Sequence, residues 1–307
     1  MNFGIPYMGN KADIVESLAL NFPAAENFYD LFGGGFSVTH YMLTNKAHKY
    51  KYFHYNEIVP STVELVKKAI NGDFNYDKFK PEWISREDFF KRIDDPYVRI
   101  IWSFGNNQKN YMFNEDIEKY KKSLHMAVVF NEFDSISKKV LGFDKWPKQV
   151  DSIFKKRIYC RQKVRHDSKQ KGRGQLQQLQ RLQRLQRLEQ LERLQQLEQL
   201  EQLQQLERLT ITSLDYRDVI IKPNSVVYCD IPYKGTAGYL GNFNHKEFYD
   251  WAATRDFPVY ISEYNIDDPR FKLIYKVDRK TKLSQKGCTD HHSEKLYINS
   301  YAKNHNQ

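Results

Sequence analysis

The run Val226-Val227-Tyr228-Cys229-Asp230-Ile231-Pro232-Tyr233 sets a carboxylate at the end of an apolar stretch and follows it with Ile-Pro and an aromatic ring. A strand ending in a turn would account for this pattern without any chemistry. A chemical account gives each residue a role. The exocyclic amine of a nucleobase is a poor nucleophile, because its lone pair is delocalised into the ring. Two acceptors on its hydrogens, the Asp230 carboxylate and the Ile231 carbonyl, pull it toward tetrahedral geometry and aim the lone pair at an electrophilic methyl group. Pro232 makes the turn rigid and holds the Ile231 carbonyl in place. Tyr233 offers a ring against which an extruded base can stack.

A second constellation lies near the N-terminus. Gly33-Gly34-Gly35 follow the apolar stretch 27–32 and precede a helical pattern at 37–46. Glycines there let backbone approach a ligand closely, although a triple glycine alone more often marks a turn. Glu57 lies 22 residues past Gly35, at the tip of the next strand pattern, 50–58. An acid at that place can hold both hydroxyls of a ribose. The G-x-G-x-x-G spacing is absent, so NAD is disfavoured. S-adenosylmethionine needs the ribose acid and has no pyrophosphate to cradle.

Strand, glycine turn, helix (37–46), strand with an acidic tip and helix (60–70) make half of a nucleotide-type α/β unit. Residues 71–170 carry mixed aromatic and basic sequence without clear alternation. Strand patterns resume at 209–216, 225–233, 257–264, 271–277 and 295–302. This order predicts one Rossmann-like α/β catalytic domain from 1–70 and 210–307, interrupted by an insertion at 71–174 and by a repeat at 175–209.

In the repeat, leucine occupies every third position from Leu176 to Leu209, twelve in all, and five Arg balance five Glu. Leu, Gln, Glu and Arg favour a helix roughly 50 Å long at 1.5 Å per residue. A step of three residues turns a leucine row back by about 60° each time, so no single stripe forms. A narrow triangular solenoid and disorder remain as alternatives. A spacer grown by duplication of short units is the plain functional account, with an arm beside DNA or a self-association surface as the others.

The net charge is +10, and most of the excess lies at 145–173, where eleven Lys or Arg meet two Asp, a balance of +9. Such a segment reads as a phosphate-binding surface, with Lys155, Lys156, Arg157, Arg161, Lys163 and Arg165 as its candidate DNA contacts, or as a solvated face. Three separated cysteines argue against a disulfide framework and for a reducing compartment. No apolar leader or membrane-length run is present in the sequence. Cys288, Asp290, His291 and His292 fit no standard zinc spacing, so no metal is expected.

Taken together, these residues resemble the Dam-type DNA adenine-N6 methyltransferases, and phage-borne members most. Tyr7-Met8-Gly9-Asn10-Lys11 is similar to the family's Y-x-G-x-K, and Phe32-Gly33-Gly34 to its F-x-G. Asn56-Glu57-Ile58-Val59-Pro60 resembles N-D-I-N-P, Asp215-Tyr216 the D-[FY] pair, and Asp230-Ile231-Pro232-Tyr233 the catalytic D-P-P-Y. Trp102 to Asn107 and Tyr260 to Asn265 also look familiar from phage relatives. The order, glycines first and catalytic motif last with recognition between, is the family's α arrangement. Ile231 stands where the family has proline, and Phe36 where the last glycine of F-x-G-x-G falls.

The resemblance implies S-adenosylmethionine as cofactor, held by Tyr7, Lys11, Asp30, Phe32, Gly33, Gly34, Gly35, Glu57, Asp215 and Tyr216, with Lys11 reaching the cofactor carboxylate. It implies double-stranded DNA as substrate, 71–170 as the target-recognition region, a place in the cytoplasm of a bacterial host, and a cognate restriction endonuclease as a possible partner. Residues 234–244, rich in glycine and aromatics, could close over the site. A DNA-binding protein of the same fold without turnover, and a cytosine-N4 methyltransferase, whose motif usually begins with Ser, are the alternatives.

Overall fold

The computed structural model describes residues 3–170, 188–234, 243–280 and 291–300; the side chains of 164–170, 278–280, 291 and 292 lie outside that description. Two compact units result: Met1–Lys67 with Gln202–Gln307, and Lys68–Glu201.

The first unit is built on a seven-stranded mixed sheet of β1 (Asn27–Asp30), β2 (Tyr52–Asn56), β3 (Leu209–Thr212), β4 (Ser225–Asp230), β5 (Val259–Glu263), β6 (Phe271–Lys280) and β7 (His291–Asn299). Their order is β3-β2-β1-β4-β5-β7-β6. The first five strands of that order run parallel, and β7 is antiparallel to both β5 and β6. β1, β4 and β5 are buried along nearly their whole length, as strands covered on both faces must be. The helices around this sheet are α1 (Val15–Ala19), α2 (Ser37–Asn45), α3 (Pro60–Ile70), whose last turn crosses into the second unit, and, later in the chain, a helix at His245–Ala253.

Register sets the heights of the candidate residues. Asp30, the last residue of β1, is level with Tyr55 of β2 and Tyr228 of β4. Glu57 and Asp230 therefore stand two residues past Asp30 on either side of it, about 7 Å further along the strands. The chain leaves β1 for β2 and β3 on one side, and β4 to β7 add on the other. Ligands of open α/β sheets bind at the carboxyl ends of the strands where the order reverses in this way.

The second unit is helical: α4 (Arg86–Lys91), α5 (Pro96–Ile101), α6 (Glu115–Phe130), α7 (Ser135–Leu141), α8 (Ile153–Gln170) and α9 (Glu189–Glu198); the helix at His245–Ala253 of the first unit is α10. Residues 71–170 look irregular in sequence because α4, α5 and α7 are only six or seven residues long, too short for a periodic signal. Their caps define them instead. Ser85 with Asp88 and Asp134 with Ser137 form reciprocal capping boxes, and Asp95 caps α5 ahead of Pro96 at its first position.

The single long helix expected for the repeat does not form across its described part. α9 spans ten residues, a 3-10 turn follows at Gln199–Gln202, and Leu209 opens β3. The leucines are nonetheless buried at 188, 191, 194, 197 and 200. Over a helix this short, the row from Leu191 to Leu197 drifts only about 120°. The 3-10 turn then restores alignment, because its three residues per turn match the triplet. No solenoid strands occur among the described repeat residues. Leu188 and Leu191 join Leu124, Val128, Leu141, Trp146 and Cys160 in a core of the second unit, so residues 188–201 are part of that unit. Residues 175–187 lie outside the described residues.

Candidate active site

The glycine turn after β1 is shaped by what surrounds it. A Cβ on Gly33 would lie 2.3 Å from the Tyr55 ring, and one on Gly35 would lie 2.4 Å from the Tyr7 side chain. Gly34 has φ +46. Phe36, which stands where the family has its last glycine, keeps the left-handed backbone that glycine favours (φ 67) and buries its ring edge-on against Tyr55. A non-glycine residue there costs roughly 1–2 kcal/mol, which the buried ring offsets.

The N-terminal segment is laced to this turn. Ile5 N donates to Gly35 O at 2.8 Å, Gly4 N to His40 Nδ1 at 3.0 Å and Lys11 N to Ser37 Oγ at 3.2 Å. Burial lowers the His40 pKa to about 4, which keeps the ring neutral and able to accept. These bonds carry Lys11 to the end of β4.

Glu57 Oε2 accepts from Gly34 N at 2.9 Å, and its Oε1 accepts from Val59 N at 3.0 Å. The candidate ribose acid thus also braces the glycine turn, and burial raises its pKa. Asn56 joins three elements through Leu31 O and both backbone groups of Leu214. The Tyr216 ring packs against Phe32 at 5.4 Å, with Phe248 edge-on to Phe32 at 5.5 Å. Asp215 turns to Arg217, which donates to both of its oxygens.

Asp30 is buried. Its Oδ2 accepts from the backbone and hydroxyl of Thr39, while Oδ1 is sealed from solvent with no hydrogen-bond partner among the described residues. Burial pushes its pKa up to about 7, against the Thr39 bonds and with help from Asp230 and Glu57.

The turn from Asp230 to Tyr233 is held by residues distant in sequence. Lys11 Nζ lies 2.8 Å from Asp230 Oδ1 and 3.2 Å from Glu294 Oε1, and 4.7 Å from the centre of the Tyr233 ring. The Tyr233 hydroxyl donates to Glu294, and its ring meets Tyr264 edge-on at 4.5 Å. Lys11, expected from the resemblance to reach the cofactor carboxylate, pairs its ammonium with the carboxylates of Asp230 and Glu294. Ile231 points its side chain into the core, so the change from the family's proline keeps a backbone carbonyl at this position. His245 donates to Pro232 O at 2.7 Å, and Glu263 accepts from Lys234 N at 3.2 Å and Tyr264 N at 2.7 Å. Burial raises Asp230 to about 6, held down by Lys11 and pushed up by Glu294, and it raises Glu263 to about 7.

Glu294, Glu263 and His245 were not legible as site residues. Glu263 had one signal, its place in the Tyr260 to Asn265 stretch; Glu294 sits on β7 with no local motif. Residues 235–242 of the candidate lid, and Cys288 and Asp290, lie outside the described residues. No group of acids, histidines and cysteines suited to a metal occurs among the described residues.

Of the six candidate phosphate contacts, two face inward. Lys156 is buried and donates to Asn131 Oδ1 at 2.8 Å, while Arg157 pairs with Glu192 and donates to Gln195. Lys155 and Arg161 are exposed and Lys163 partly so, with Lys155 pairing Asp151 at 2.9 Å; the Arg165 side chain lies outside the described residues. No described helix is long and apolar enough to cross a membrane.

This sheet order, with a glycine turn, acids at matching heights and a partly buried Asp-Ile-Pro-Tyr turn, is that of the α/β methyltransferase fold. Residues 7–257 match the model of the D12 class N6 adenine-specific DNA methyltransferases. The chain belongs to that family: it is an adenine-specific DNA methyltransferase, and S-adenosylmethionine is the family's cofactor. Among solved structures, an rRNA methyltransferase (AviRa) from Streptomyces viridochromogenes aligns over 97% of this chain and 87% of its own, at 9% identity and a TM-score of 0.34. No curated protein sequence matches the chain.

The residues present fit the cofactor. Its sulfonium and α-ammonium are cationic, and the carboxyl ends of the parallel strands carry Asp30, Glu57, Asp230 and Glu263. Asp30 Oδ1 is a buried acceptor lacking a partner among the described residues, the kind of group that is costly unless a ligand satisfies it.

Proposed function

We propose that this enzyme methylates N6 of an adenine flipped out of double-stranded DNA, with Asp230 and the Ile231 carbonyl as the groups that orient the amine. Asp30 would take the cofactor's ammonium, Glu57 its ribose, and Phe32 its flank, with Tyr216 behind that ring. The cofactor supplies the electrophilic methyl group. Asp230 Oδ1 is held by Lys11, so the remaining oxygen is the one assigned to the amine. The Asp230 side chain is 19% exposed while Lys11 and Glu294 are 4% and 2% exposed, which leaves the acid the reachable member of the group. Transfer makes N6 cationic. A carboxylate beside it stabilises that charge, and an acid with a pKa near 6 can take the departing proton and release it at neutral pH.

The exposed part of the basic segment, Lys155, Arg161 and Lys163 with Arg165, is assigned to DNA phosphates, and the helical second unit to target recognition. Free buried thiols at Cys160 and Cys229 accord with work in a bacterial cytoplasm. The reading rests above all on a partly exposed carboxylate two residues past Asp30, fixed by an ammonium. Its test is tritiated methyl transfer to plasmid DNA by Asp230→Ala. The rate should fall by at least about 100-fold with cofactor affinity kept within a few-fold; equal losses in both would assign Asp230 to the cofactor.

A further inference from the structure

We propose that Glu294 on β7 is a positioning residue for methyl transfer, holding the Lys11 ammonium and the Tyr233 hydroxyl so that both are fixed against Asp230. The inference rests on the assignment of Asp230 as the group that orients the amine.

Three observations carry it. Glu294 sits on a strand face shared with Leu296 and Ile298, which are buried hydrophobics. A carboxylate in such a row is expensive unless paired. It pairs with Lys11 at 3.2 Å, which also holds Asp230, and with the hydroxyl of Tyr233 in the turn itself. Finally, β7 pairs with β5 antiparallel, Leu296 to Ser262 and Lys295 to Glu263. Glu294 is thus anchored to the same sheet that carries Asp230, and not to a loop.

Geometry gives Glu294 two effects. It draws Lys11 to a place where the ammonium bonds Asp230 Oδ1 and also lies on the Tyr233 ring, so the ring cannot rotate. It also adds a negative charge close to Asp230. The charged and titratable groups facing Asp230 are Lys11, Glu294, Tyr233, Tyr228, Asp30 and Glu263; of these, Glu294 can be neutralised without changing the acid assigned to the amine or the ammonium that holds it. Losing its charge makes ionisation of Asp230 easier.

The experiment uses the full chain carrying Glu294→Gln, with single-turnover methyl transfer to DNA measured from pH 5 to 9 and cofactor affinity measured alongside. The plateau rate should fall about 10-fold or more, the acid limb should move to lower pH by about half a unit or more, and cofactor affinity should stay within about threefold. A side chain that merely neutralises charge in the core would change the melting point and leave the acid limb in place. A native plateau and an unmoved limb would overturn the proposal. Should the Gln variant melt below assay temperature, Glu294→Asp carries the test: it keeps the charge and shortens the reach. It is expected to hold the native limb while losing at least about threefold in plateau rate, and a native plateau would overturn the proposal equally. Asp230→Asn, run in parallel, separates the two levels. If it retains transfer, the reading of Asp230 fails; if it is dead while Glu294→Gln is native, only the role of Glu294 fails.

Discussion

Lys11 Nζ and Asp230 Oδ1 are 2.8 Å apart although they are separated by most of the chain. The contact joins an N-terminal segment, laced to the glycine turn, to the tip of β4, and it favours the charged form of the acid proposed to orient the amine. Burial alone would hold Asp230 protonated to a higher pH; the ammonium brings its pKa back to about 6.

Lys11→Met should therefore move the acid limb of the transfer rate upward, by about one pH unit or more. The sign follows from removing a cation that favours the carboxylate form. The variant should be strongly impaired at pH 6.5 and recover part of its activity at pH 8.5 in a single-turnover assay. A limb that stays near 6 would mean that another group governs it.

Asp30 makes the ligand-free protein sensitive to pH in the opposite sense to an ordinary salt-bridged acid. Its pKa is near 7 in the fold against 3.8 ordinarily. Between those values the folded state binds the proton and the unfolded state does not, so its contribution to stability is full below about 4 and is lost as pH rises through 7. The melting temperature without cofactor should fall from pH 5 to pH 8, and Asp30→Asn should flatten that slope. The same variant should weaken cofactor binding by about 10-fold or more, because it replaces one acceptor oxygen and removes the charge.

The basic segment predicts a division of labour on α8. Arg161→Ala and Lys163→Ala should each lower the slope of log affinity for DNA against log salt by about one. Lys156→Ala should leave the slope unchanged and lower stability instead, since its ammonium serves Asn131 inside the unit. Fluorescence anisotropy at several salt concentrations, with urea melts of each variant, separates the two outcomes.

Within the repeat, Arg193 donates to the carbonyls of Ile100, Ile101 and Ser103 at 2.6–3.2 Å, closing the end of α5. Arg193→Met should cost about 2–4 kcal/mol in urea unfolding, whereas Gln196→Ala in the same helix should stay within about 0.5 kcal/mol. Equal, small effects would reduce the repeat to filler.

The parts of the site legible in the sequence were those written locally. Asp230 to Tyr233, the glycines with Glu57 at the next strand end, and Asn56 beside Glu57 each sit in a stretch where residue type and position constrain one another. The strand pattern also announced the α/β unit, because β4 and β5 are largely apolar and buried, as β1 is buried. What escaped was tertiary. Glu294 and His245 reach the catalytic turn from β7 and from the first turn of α10, and nothing in their own neighbourhoods distinguishes them from a surface acid or a cap. The inward turn of Lys156 and Arg157 was invisible for the same reason, since a count of charges cannot tell which face of α8 packs. The repeat misled by its length: a drift that scatters leucines around a long helix is harmless in the ten residues of α9.

A segment written in a three-residue unit has several equivalent ways to lie in its groove, because sliding α9 by one unit places leucine on leucine again. The polar positions break that tie. Glu189 meets Lys121, Gln190 meets His125, and Arg193 caps α5. A slip of one unit in either direction would set an arginine before His125 and a glutamine on the carbonyls. The side chains between the leucines thus act as an alignment key, and a chain that gained or lost whole units ahead of Glu189 would carry the same key.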